Sequence, residues 1–99
     1  MAIKKVKNSN VEMIEVLNCQ RVPIKLYMDV KDHMYKQLNR LLPNTTYRLK
    51  QMCGKQFWEP LEITEKRNAG RAFAQMVVVG EFPFKFVETN STSKHYRLK

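Results

Sequence analysis

Lys66, Arg67, Asn68, Arg71 and Gln75 fall within ten residues of one another and are the side-chain types that read base edges in a DNA major groove. Arginine and lysine bond guanine there, and asparagine and glutamine bond adenine. On a helix, Asn68, Arg71 and Gln75 stand at i, i+3 and i+7 and share a face, with Arg67 one turn before Arg71. Ala69, Phe73, Met76 and Val77, at i, i+4, i+7 and i+8, form an apolar stripe opposite them. Every surface helix turns polar residues outward, so the pattern gains meaning only from the cations around it.

Those cations are present. Lys85, Lys94, His95, Arg97 and Lys99 lie on two β-like runs after the helix, and Arg48 and Lys50 lie before it. Such groups suit phosphate oxygens, which fix a protein's position on a duplex without specifying sequence. If about six of them met phosphates, affinity would fall with a log–log salt slope of roughly −5. The competing reading of the two runs is a charged edge hairpin that resists aggregation. Tyr96, with Phe84 and Phe86 across the hairpin, is expected in the core.

Catalysis has little support. Glu59, Glu62 and Glu65 are spaced to favour the positive end of a following helix, and neither His33 nor His95 has a nucleophile arranged beside it. The chain has no glycine-rich phosphate loop, no cofactor motif and no pair of residues with metal-ligand spacing. Cys19 and Cys53 are far apart and are expected as small apolar residues rather than a disulfide. The sequence therefore points to a binding protein and not to an enzyme.

Eighteen basic residues against nine acidic give a net charge of +9. A phosphate-bearing or otherwise acidic partner follows: double-stranded DNA first, an acidic protein surface as the alternative, and RNA third. Residues 1–45 hold eight basic and four acidic groups and residues 46–99 hold ten and five, so only the fold can gather the charge into a patch. The longest apolar run is four residues, too short to span a membrane, and the basic start lacks the apolar segment of a signal peptide. A cytoplasmic location is expected.

The elements that must position these groups follow from periodicity and punctuation. Residues 1–10 read as a flexible basic arm, and residues 11–17 suit a short strand or a helical turn equally. Residues 21–28 alternate in the strand manner, with Ile24, Leu26 and Met28 on one face. Asp29 is the expected N-cap of a helix with Val30, Met34, Leu38, Leu41 and Leu42 inward, stopped by Pro43 and Asn44. Thr45 or Thr46 then caps a shorter helix, with Tyr47, Leu49, Met52 and Cys53 inward and Gly54 as its stop. Phe57 and Trp58 read as a core plug in the connection. A helix is expected over residues 64–79, stopped by Gly80, and a hairpin over 84–99 with its tip at 89–93. Gly70 costs that helix about 1 kcal/mol relative to alanine, for which close backbone packing is the favoured reason and approach of a DNA phosphate the other.

Helix, short helix, basic helix and hairpin, over residues 29–99, resembles a winged helix-turn-helix DNA-binding domain. The stretch from Tyr47 through Trp58 to Phe73 is also similar to small bacterial and phage domains. The resemblance implies an α+β fold with a winged-helix-like three-helix core, a C-terminal β-hairpin and an additional N-terminal strand or arm. It further implies a transcriptional regulator whose helix 64–79 enters the major groove while the hairpin meets phosphates. The connection of residues 54–63 is longer than the tight turn of the simplest such motifs. Residues 22–28 suggest a spare strand through which two chains could pair as a homodimer. The second reading is a phage-type adaptor or inhibitor that lays its basic face on an acidic protein, and six methionines suit an adaptable contact.

Overall fold

The first strand, β1 (Met13–Glu15), turns through a 3-10 segment at Leu17–Cys19 and pairs antiparallel with β2 (Arg21–Pro23), placing Ile14 opposite Val22. The computed structural model describes residues 12–87 and 94–99. Among them the chain forms an α+β domain of four helices and two small antiparallel sheets. The expected arm at 1–10 and hairpin tip at 89–93 lie outside the described residues.

Helix α1 runs Ile24–Gln37, starting six residues earlier than the Asp29 cap implies. Pro23 sits immediately before it with φ −60° and ψ 134°, and the Ile24 amide bonds the Glu12 carbonyl at 2.9 Å. The residues buried are Tyr27, Val30 and Met34, a helical stripe, whereas Ile24 and Met28 are exposed. The strand-like alternation of 24–28 was therefore accidental, and no spare strand remains there, because β2 already pairs within the chain. The inward stripe also stops sooner: α1 ends in a 3-10 turn at Leu38–Arg40, Leu41 is buried, and Leu42 is 62% exposed.

Of the two threonines expected as a cap, Thr46 instead enters a strand. Thr46 and Tyr47 form β3, which pairs with residues fifty positions away, Thr46 with Arg97 and Tyr47 with Tyr96. Helix α2 (Leu49–Cys53) follows, and Gly54 at φ 84° ends it and starts the short α3 (Lys55–Trp58). An L-side chain rarely adopts that φ, so glycine is needed at the kink. The longest helix, α4 (Ile63–Val78), begins where the Glu62 amide donates to the Glu65 carboxylate at 2.9 Å, a side-chain cap for an otherwise orphan donor. Gly80 at φ 82° ends it. Strands β4 (Phe84–Val87) and β5 (His95–Leu98) complete a sheet in the order β3-β5-β4.

α4 packs against α1 and also meets β2 and the 17–19 turn. Ala69, Phe73, Met76 and Val77 are all buried, as their spacing requires. Phe73 is the hub: its ring centroid lies 5.8 Å from Phe82, 5.6 Å from Phe84 and 4.9 Å from Tyr96. Met34, Met52 and Met76 are fully buried, so half of the methionines fill core gaps rather than offering an adaptable surface. Cys53 is buried but Cys19 is exposed at φ 59°, so only one of the two behaves as a small core residue. No helix of the described residues is long and apolar enough to cross a membrane.

Candidate nucleic-acid interface

The groove that gathers the chain's charge is set by four elements. Arg48 immediately precedes α2, which contributes Leu49 and Lys50, and α3 contributes Trp58. One side of α4 supplies Lys66, Arg67, Gly70 and Arg71, and the third wall is Lys94 and Tyr96 on β5 and its entry. These residues enclose a groove of about 660 Å³ containing six cations, and among the described residues no Asp or Glu lines it. Six like charges facing one hollow repel one another, an arrangement that an anionic occupant relieves.

Strand parity decides which hairpin charges belong here. Lys94 and Tyr96 fall on one face of β5, whereas His95, Arg97 and Lys99 fall on the other. Lys85 pairs with Arg97 and shares that outer face. Arg97 is half-buried; its Nη2 donates to Thr46 Oγ1 at 3.1 Å, while its Nε has no hydrogen-bond partner among the described residues. Of the twelve residues nominated from sequence, Arg48, Lys50, Lys66, Arg67, Arg71 and Lys94 converge on the groove. Lys85, His95, Arg97, Lys99, Asn68 and Gln75 do not line it.

The three proposed base readers are less free than the helical wheel suggests. Asn68, Arg71 and Gln75 are all half-buried, and Arg71 Nη1 donates to Asn68 Oδ1 at 3.3 Å. Arg67 is the exposed member of the set. The segregation of polar from apolar residues along α4 is real, but its outward side leads into the groove at Arg67 and Arg71 rather than forming one flat reading face.

Two groove residues escaped the sequence. Gly70 was expected to allow close packing, yet a β-carbon there would meet nothing within 4 Å. The space above it is open groove. Trp58 was expected as a core plug; it is half-buried, and it lines both the groove and an adjoining hollow of about 240 Å³ that Lys50, Lys55 and Glu59 also border. Both rings are half-buried and packed against the core, and Phe57 is in addition stacked on His33, whose Nε2–H donates to the Cys53 carbonyl at 2.7 Å.

Buried Tyr96 forms part of the groove wall from within the core, and burial raises its phenol well above the ordinary value, so it stays neutral. Among the described residues no group of three His, Cys, Asp or Glu could hold a metal ion.

A family model described as a domain of unknown function, DUF1413, matches residues 32–97, two thirds of the chain, and the chain belongs to that family. The matched span contains every residue of the groove and omits β1, β2 and the first part of α1. No curated protein and no solved structure matches the chain.

Proposed function

We propose that this DUF1413 chain is a small double-stranded-DNA-binding protein of winged-helix type, acting as a transcriptional regulator and not as an enzyme. The observation that carries the reading is the groove beside α4, with six cations and, among the described residues, no carboxylate in its lining. The sheet order β3-β5-β4, with β3 inserted between α1 and α2, supports the winged-helix comparison, since the third strand braces the hairpin against the helical core. The basis for DNA contact shifts from base reading toward phosphate binding. Lys66, Arg67, Arg71, Arg48, Lys50 and Lys94 hold the backbone, and Arg67 is the best placed of the α4 side chains to reach a base edge.

The adaptor reading lays the basic face on an acidic protein, and the chain offers it a second surface besides. Ile24, Met28 and Tyr35 lie at i, i+4 and i+11 along α1 and are exposed, a face that DNA binding does not use. Titration of random-sequence duplex DNA at about 50 and 200 mM salt separates the two. Strong binding at the lower concentration that collapses at the higher supports DNA. Absence of binding at low salt rejects it in favour of the adaptor.

A further inference from the structure

Trp58 has no reason of charge to sit in a cationic groove, and its indole is not used up by the core. It lines the 660 Å³ groove and the 240 Å³ hollow beside it, and Lys50 lines both as well. Across the groove, Gly70 leaves the surface of α4 bare of any β-carbon, with nothing of the protein within 4 Å of where one would stand. The groove thus has an aromatic wall, a floor one methyl deeper than any other residue would leave, and cations at its margins. Its volume is in the range of about 300–1,000 Å³ typical of small-ligand sites, which a continuous duplex is too wide to enter. Phosphates alone would need neither the ring nor the missing methyl.

We infer that the groove binds an unpaired nucleotide of DNA, with the base laid on Trp58 and the flanking phosphates held by Lys66, Arg67, Arg71 and Lys94. A base stacked on an aromatic side chain in a positively charged groove is the general means of holding single-stranded nucleic acid, and it tolerates any sequence because every base has a π-face. The inference rests on the nucleic-acid reading above and sharpens it: the preferred DNA carries an overhang, gap or extruded base beside duplex.

Trp58 is the sole tryptophan of the chain, so intrinsic fluorescence reports on this one ring. The full chain is titrated with a blunt duplex, the same duplex carrying an oligothymidine overhang, and inorganic polyphosphate, while a labelled duplex reports binding independently. Quenching by the overhang DNA well beyond that by the blunt duplex or polyphosphate is the expected result. So is a preference for the overhang of roughly fivefold or more, the effect of a single stacked base. Trp58→Ala removes the preference, and Trp58→Phe, which keeps a ring if the alanine variant fails to fold, retains most of it. Equal affinity for blunt and overhang DNA with no selective quenching overturns the stacking site while leaving DNA binding intact. No binding of either DNA at low salt overturns both.

Discussion

The imidazole of His33 lies flat on the ring of Phe57, with centroids 4.1 Å apart and planes 9° from parallel. His33 belongs to α1 and Phe57 to α3, a four-residue helix too short to persist alone. The same imidazole donates to the Cys53 carbonyl at the end of α2. One side chain of α1 therefore holds the junction from which Trp58 reaches the groove. His33→Ala removes both interactions and is expected to cost about 2 kcal/mol, the sum of a stacked pair and a hydrogen bond. His33→Phe keeps the stack and should cost about half as much. Urea unfolding of the two variants tests this, and equal losses would show that the stack contributes nothing beyond the hydrogen bond.

Gly70 offers a test in which stability and binding move in opposite directions. Alanine is the better helix former by up to about 1 kcal/mol, and its methyl meets no neighbour within 4 Å. Gly70→Ala should therefore raise the unfolding midpoint while weakening DNA binding, because the methyl intrudes into the groove. A gain in stability with unchanged affinity would mean that nothing approaches α4 there.

The salt dependence counts charges. Six groove cations on duplex phosphates give a log–log slope near −5, and each of Lys66→Ala and Arg67→Ala should reduce its magnitude by about one. Lys85→Ala, on the outer face of the sheet, should leave the slope unchanged. A loss at Lys85 equal to that at Lys66 would place the contact on the other side of the hairpin.

What could be read in the sequence depended on the range of the signal. α4 was legible within one residue at each end because its stripe, its glutamate cap and Gly80 are all local. β3 was not, because Thr46 and Tyr47 become a strand only through partners at Arg97 and Tyr96. The start of α1 was missed because Ile24, Leu26 and Met28 fit a period of two as readily as a helix, and only the burial of Tyr27 decides between them. At the site, cation identities were visible but their sorting was not: parity on β5 sends Lys94 to the groove and Arg97 away from it. Trp58 was read only as a core plug, since nothing local in a Phe-Trp pair shows that one of two half-buried rings also borders a basic groove.

The two cysteines should separate cleanly by reactivity, and one of them makes the fold sensitive to alkali. Cys19 is exposed, whereas burial pushes the Cys53 thiol from 9.0 up to about 12. Thiolate is the reactive form, so a thiol reagent near neutral pH should label one cysteine in the native protein and two after denaturation. The fold favours the protonated thiol, so its contribution is complete below pH 9, where the unfolded thiol is also protonated. Above that the unfolded chain ionises and the folded one does not. Stability should fall by up to about 1.4 kcal/mol per pH unit toward pH 12 from this group. Tyr27 and Tyr96, both raised chiefly by burial, act in the same direction at higher pH. Cys53→Ala should flatten the decline that begins near pH 9, at the expense of a small cavity beside Met52. Denaturant midpoints measured across that range check it, and an identical decline in the variant would assign the alkaline loss to the tyrosines alone.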